Sequence, residues 1–159
     1  MLLTAVVFSV TVKAQKQLEF PFQGGQQVME QFFKSNFTPS ADIKQHSTSG
    51  VVILKFTADQ KGNLKKVIVY YADDFALAQP AADLLKKTDH KWIVPEGEKL
   101  HDFILPFAVG FTNPAAVTSK KSFATAYSKR SPIITSNQIP LDMATLLPTI
   151  QLSYDPAAL

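Results

Sequence analysis

The sequence contains no cysteine, and this absence excludes several kinds of chemistry at once. Without cysteine the chain can have no disulfide framework, no thiol nucleophile and no zinc–thiolate site. The excess of one sign of charge over the other is also small, because 16 basic and 13 acidic residues leave a net charge of only +3. An excess this weak and this scattered does not indicate a protein that binds nucleic acid.

Long apolar runs are few, and the one at the N-terminus extends from Leu2 to Val12. It is too short to span a bilayer as a permanent anchor. It ends in Val12-Lys13-Ala14, a small-x-small pattern typical of signal cleavage before Gln15. We therefore expect residues 1–14 to be an export signal and residues 15–23 to be an extended N-terminal segment. No basic residue precedes the run, so a buried strand or helix is the alternative.

Apolar side chains, in contrast, are plentiful. Hydrophobic residues make up 46% of the 159 positions and include twelve phenylalanines. A chain of this size can bury a packed core in one domain without help from metals or disulfides.

A β-hairpin is predicted for Ser49 to Tyr71. Apolar residues recur at period two, which is typical of strands with one buried face. The residues predicted to share that face are Val52, Leu54, Phe56, Ala58, Val67, Val69 and Tyr71. Between the strands, Asp59 can accept hydrogen bonds from the turn backbone, and Gly62 can adopt the positive φ that rejoins them.

Two helices and a third strand complete the predicted domain. An apolar stripe at helical spacing predicts a helix from Gln26 to Asn36, and a second is predicted from Ala78 to Thr88 with Pro80 in its first turn. Trp92 is predicted to pack on the sheet near Phe56 or Val69.

The third strand, from Asp102 to Phe111, has the strictest alternation in the chain. Pro106 lies within it and cannot donate a hydrogen bond to a neighbouring strand. This residue therefore indicates a strand at the edge of the sheet or a bulge.

Together these elements predict an α+β fold. Its sheet is small and antiparallel, with about three strands in the order α-β-β-α-β and two helices packed on one face. Residues 113–159 are rich in Ser, Thr, Ala and Pro and are predicted to be an irregular tail rather than a second domain. Within the tail, Thr149–Tyr154 alternates, so this segment or Ile133–Thr135 could pair with the open edge of the third strand. A tail that touches nothing is the alternative.

Residues that carry catalytic chemistry form no recognisable pattern. The sequence has no motif of a serine hydrolase, a zinc protease or a phosphate-binding loop, and its three histidines lack metal-ligand spacing. Asp89-His90 and His101-Asp102 could meet to bind zinc, but such neighbours are usually solvated caps. We expect a protein that is not an enzyme, with no catalytic residue, cofactor or metal. A hydrolase or metal site, which would need a cluster of His and Asp, is the rival hypothesis.

Four stretches of the sequence follow one another in a familiar order. They are Asn36, Pro39 and Ala41 at the end of the first helix and just beyond it; Gly50, Val52, Leu54, Phe56, Asp59, Gly62 and Leu64 in the hairpin; Trp92, Pro95 and Gly97; and Leu105-Pro106-Phe107 to Phe111. In this order, over residues 24–112, the sequence resembles the TonB C-terminal domain family. The membrane anchor and the Pro-rich spacer of TonB itself have no counterpart in these 159 residues.

The resemblance implies a protein–protein interaction module of the gram-negative cell envelope, located in the periplasm. Its partner would be an envelope protein or peptide, such as an outer-membrane transporter, that adds a strand at the edge of the third strand. The residues implied at that edge are Asp102, Phe103, Ile104, Leu105, Phe107, Ala108 and Val109. The alternative is a structural periplasmic protein that forms a homodimer through the same edge. No nucleic acid and no permanent membrane span are expected.

Overall fold

A computed structural model describes residues 19–113, 128–135 and 143–156. The predicted export signal, residues 1–14, lies outside the described residues. The described elements are α1 (Gly25–Asn36), α2 (Ala41–His46), β1 (Gly50–Asp59), β2 (Leu64–Ala72), α3 (Phe75–Lys86), β3 (Leu100–Phe111), β4 (Ile133–Ile134), β5 (Thr145–Leu146) and β6 (Ile150–Tyr154). None of these helices is long and apolar enough to cross a membrane.

The fold is α+β, but the predicted sheet of about three antiparallel strands with two helices is wrong. The described strands form one six-stranded mixed sheet in the order β4-β2-β1-β3-β5, and β6 also pairs with β3. The first four strands pair antiparallel, whereas β5 and β6 run parallel to β3. The predicted strand count left out β4 and β5, which have only two residues each, too few for a period to appear, and it treated the segment that forms β6 only as a possible addition to the sheet.

The additional helix, α2, was missed for a related reason. α2 has six residues and buries only Ile43, so the sequence has no apolar stripe there. Its N-terminus is instead stabilised by Ser40, whose hydroxyl accepts a hydrogen bond from the Ile43 amide at 3.2 Å. α3 also begins earlier than predicted, because Asp74 caps it by accepting from the Ala76 amide at 2.8 Å. Pro80 therefore lies beyond the first turn.

The turn between β1 and β2 is as the sequence predicts. The Gly62 amide donates to the Asp59 carbonyl at 2.8 Å. The Asp59 carboxylate accepts from the amides of Lys61 and Asn63, each at 2.9 Å, and pairs with Lys65. Hydrogen bonds from Asn63 and Lys65 hold the pKa of Asp59 far below its ordinary value. The carboxylate is thus ionised and organises the turn.

Gly62 is the position of this turn where a side chain is least tolerated. Its φ is +78°, and a Cβ atom would lie 2.8 Å from the Trp92 carbonyl oxygen. A strained backbone position alone costs about 1–3 kcal/mol, and the contact with backbone adds to it. We expect Gly62→Ala to lower the free energy of unfolding, measured in denaturant, by about 3 kcal/mol.

The matched control is Gly97→Ala, since Gly97 has a φ of +90° but no atom within 4 Å of the added Cβ. This variant should lose only the conformational part, about 1 kcal/mol. Equal losses in the two variants would show that the contact with Trp92 has no energetic weight.

One face of the sheet, called the core face here, carries the buried apolar side chains of β1, β3 and β6. The three helices contribute to the same core with Met29, Phe33, Ile43, Leu77, Leu84 and Leu85, among others. Trp92 lies at its centre, with ring centroids 4.5 Å from Phe56 and 5.4 Å from Phe103. Its indole N–H donates to the Thr88 hydroxyl at 2.8 Å. The predicted position of Trp92 on the sheet beside Phe56 is therefore confirmed.

Candidate interaction edge

All seven residues predicted to bind a partner lie on β3. They are Asp102, Phe103, Ile104, Leu105, Phe107, Ala108 and Val109. On one side, β3 pairs with β1 from Leu100 to Val109 without a break in register. Its other side is not open, because β5 and β6 occupy it. The expectation of an open edge is therefore wrong for this chain, and of the two tail segments that the sequence offered as possible covers, the one up to Tyr154 pairs with β3.

The two C-terminal strands divide this side of β3 between them. β5 is opposite Phe103 and Ile104, and β6 is opposite the stretch from Phe107 to Phe111. The Leu147 amide donates to the Ile104 carbonyl at 2.9 Å. Backbone groups point to alternate sides along a strand, so those of even-numbered β3 residues face the C-terminal strands.

Pro106 is one of these even-numbered residues. Its backbone nitrogen, which carries no hydrogen, is therefore on the side of the C-terminal strands. It lies at the gap where the chain leaves β5 and has not yet begun β6. No bond is lost there, which explains how the strand tolerates a proline.

Alternate side chains of β6 fix the strand on the core face. Ile150, Leu152 and Tyr154 are 0%, 2% and 4% exposed, whereas Gln151 and Ser153 are exposed. The Tyr154 ring lies edge-on to Phe111 at 5.4 Å. β6 is therefore held by a regular ladder and by three buried side chains.

The Tyr154 hydroxyl connects β6 to the helical layer. It lies 3.0 Å from the Ile43 carbonyl and 2.7 Å from the Thr48 carbonyl, at the end of α2. Burial raises the pKa of Tyr154 well above its ordinary value, so the phenol remains a hydrogen-bond donor. A phenylalanine at this position would fill the space but leave both carbonyls without this donor.

β5 is fastened to β3 by His101. The His101 Nδ1 atom lies 2.6 Å from a Glu98 carboxylate oxygen, and Nε2 lies 2.7 Å from the Thr145 hydroxyl. A carboxylate, an imidazole and a hydroxyl in this order form the catalytic triad of serine hydrolases. Here, however, the ring packs on Phe103 at 4.7 Å and the hydroxyl belongs to a strand paired with β3. The arrangement links β5 to the start of β3.

The zinc hypothesis joined His101 to His90, and the structure does not bring these groups together at one site. His90 faces Asp89, with the nitrogen and oxygen 3.5 Å apart and both side chains exposed. Within the described ranges, no group of three or more His, Asp or Glu residues could hold a metal ion. Sequence reasoning also missed both partners of His101. Glu98 is only three positions away and could have been found from this spacing, whereas Thr145 is 44 positions away.

The side chain of Asp102, the first residue of the predicted edge, interacts with the neighbouring strand β1. It accepts from the Thr57 hydroxyl at 2.6 Å and pairs with the Lys55 ammonium at 2.9 Å. Burial alone would raise the pKa of Asp102, but the hydrogen bonds from Thr57 and Lys55 outweigh it and hold the pKa below its ordinary value. The Asp102 side chain therefore stabilises the β1–β3 pair.

The second tail segment that the sequence offered as a cover for β3 lies at the opposite edge of the sheet. Ile133 and Ile134 form β4 and pair with the end of β2. Arg130 donates to the Ser49 carbonyl at 2.5 Å, and the Ser131 carbonyl accepts from the Phe75 amide at 2.8 Å. These contacts hold the segment near the start of α3, which is beside β2 and away from β3.

Comparisons with known proteins give no match: no family model fits the chain, and no curated protein or solved structure is similar to it. Its function is therefore argued from the geometry of the sheet edge.

Proposed function

We propose that this chain is a non-enzymatic interaction module of the gram-negative cell envelope, exported to the periplasm, that accepts a strand of an envelope protein at β3. The observation that carries the proposal is β6, a five-residue strand seated parallel on β3. An edge that accepts one such strand has the backbone groups and side-chain sockets to accept another. The resemblance of residues 24–112 to the TonB C-terminal domain family supports the same function, with an outer-membrane transporter as one class of partner.

The side chains of β6 define the strand that this edge would select. Ile150 and Leu152 are buried aliphatic side chains, and Tyr154 reaches the carbonyls of Ile43 and Thr48. Gln151 and Ser153 are exposed, so their positions impose little selection. A partner strand would therefore read aliphatic-x-aliphatic-x-tyrosine and run parallel to β3.

Such a partner competes with β6, which is tethered to the same chain. A tethered strand has an effective concentration of about millimolar or above. The apparent affinity for an outside strand is reduced by the fraction of chains in which β6 is seated. Anything that loosens β6 without unfolding the domain should therefore increase partner binding. The same competition opposes a homodimer through the β3 edge.

Tyr154→Phe is the sharpest variant for testing this competition. It leaves the ring packed against Phe111 and removes only the hydroxyl that reaches Ile43 and Thr48. The Ile43 carbonyl keeps the Thr48 amide as a donor and Thr48 is only partly buried, so the loss is that of one net hydrogen bond, about 0.5–1.5 kcal/mol. The probe is a fluorescent peptide with the sequence of residues 148–156, added to the full chain. We expect Tyr154→Phe to bind it up to about tenfold more tightly than the wild type.

Ser153→Ala is the matched control, since it alters an exposed side chain of the same strand and should bind the peptide as the wild type does. A tighter complex in Tyr154→Phe alone supports the proposal. Equal peptide affinity in all three proteins, with Tyr154→Phe measurably less stable, would mean that the edge does not accept an outside strand.

A further inference from the structure

β6 has a second side, which faces away from β3. The Thr112 amide donates to the Tyr154 carbonyl at 3.0 Å, so even-numbered β6 residues direct their backbone groups toward β3. The N–H and C=O groups of Gln151 and Ser153 therefore point outward. In the part of the chain that the structure describes, β3 is the one strand that pairs with β6.

Among the described residues, this outward side lacks the devices that usually protect a sheet edge. Natural edges carry lysines, prolines, bulges or covering elements. β6 has no charged residue from Ile150 to Tyr154, and its register with β3 is regular. Prolines occur only outside the strand, at Pro148 and Pro156. The strand thus offers a short, neutral and unbroken edge.

The same edge is complementary to itself. Gln151 and Ser153, the two residues of β6 with outward backbone groups, flank Leu152 symmetrically. If two copies pair antiparallel about a twofold axis at Leu152, Gln151 lies opposite Ser153 of the second copy. In that register both have their backbone groups directed at each other and exchange N–H···O=C bonds. Pro148 then lies opposite Pro156 of the second copy, so both prolines fall at the ends of the pairing.

We propose that β6 pairs antiparallel with β6 of a second copy of this chain, joining two sheets into one. A twofold axis brings the same patch of each copy together, and the symmetry of Gln151 and Ser153 about Leu152 satisfies this condition. The interface does not rest on the proposed binding of an envelope protein. It requires β6 to stay seated on β3, whereas an outside strand at β3 requires β6 to leave.

Two double variants test the register directly. Gln151→Lys with Ser153→Glu places opposite charges across the twofold axis, whereas Gln151→Lys with Ser153→Lys places like charges there. Both residues are exposed, so the fold should tolerate either change. Sedimentation of the full chain at increasing concentration measures dimerisation. We expect the Lys/Glu variant to dimerise about tenfold more tightly than the Lys/Lys variant, with a difference that shrinks as salt is added.

A backbone test complements the charge test. Ser153→Pro, made in the otherwise wild-type chain, removes an outward N–H that makes no bond to β3, and we expect this variant to remain monomeric. The control Ser153→Ala keeps the N–H and should dimerise as the wild type does. Trp92 fluorescence verifies that each variant is folded. A wild type and a Lys/Glu variant that both remain monomeric would overturn the inference, as would equal dimerisation of the two charge variants. Failure of the peptide assay with dimerisation intact would count only against the proposed function.

Discussion

Replacing Trp92 by alanine should lower the free energy of unfolding by about 3–5 kcal/mol, as truncation of a fully buried aromatic residue does. The side chain is 2% exposed and its ring contacts Phe22, Phe56 and Phe103 at centroid distances of 5.2, 4.5 and 5.4 Å. Truncation would leave a cavity between the N-terminal segment and the sheet, and it would also remove the donor to the buried Thr88 hydroxyl. Urea unfolding monitored by circular dichroism measures the loss.

Two controls separate the contributions to this loss. Trp92→Phe keeps a ring in the site but removes the indole N–H, so it should lose less than Trp92→Ala. Phe75→Ala truncates an aromatic residue that is 67% exposed and should change stability by less than about 1 kcal/mol. A loss below about 1 kcal/mol for Trp92→Ala would mean that the site collapses around the cavity and that the ring does not hold the core together.

The elements that could be predicted from the sequence are those in which one face is buried along several turns or residues. Val52, Leu54, Phe56 and Ala58 are 0–1% exposed, as their period-two spacing predicts. The first helix, predicted from Gln26, begins at Gly25. In these segments the core imposes a periodicity, and a periodicity is visible in a single sequence.

A bulge marks the limit of that reasoning within β2. Val67 and Val69 are opposite Phe56 and Leu54, as expected for the core face. The register then shifts, and Tyr71 lies opposite Ile53 on the other face. Placing Tyr71 on the core face was therefore wrong. One inserted residue reverses the direction of every side chain beyond it, and no local pattern announces the insertion.

The sheet edge was predictable only in part. Alternation indicated that the segment ending at Tyr154 could pair with β3. Pro106 indicated an edge strand or a bulge, whereas β3 has neighbours on both sides and an unbroken register with β1. The parallel direction of β6 and the existence of β5 could not be deduced, because both depend on distant contacts such as that between His101 and Thr145. The short C-terminal strands are stable because of these tertiary contacts rather than because of their own β-propensity.

Leu152→Asp should detach β6 from the sheet while the rest of the domain stays folded. Leu152 is 2% exposed, and a buried carboxylate would cost at least as much as truncating the side chain, about 2–5 kcal/mol. Detachment frees the amides that face β6, which are those of Ala108 and Gly110 in β3 and of Thr112 just after it. Amides of Phe107 and Val109 remain bonded to β1.

Hydrogen exchange measured residue by residue should therefore rise more than about thirtyfold at every second amide of this stretch. Ser153→Asp is the matched control, because it places the same charge one residue further along the strand on an exposed position. It should leave the exchange of Ala108 and Gly110 close to that of the wild type. A uniform increase over both odd and even residues in Leu152→Asp would indicate global destabilisation instead of detachment. Unchanged exchange in both variants would mean that β6 does not protect β3 in solution, and the competition between β6 and a partner strand would then have no basis.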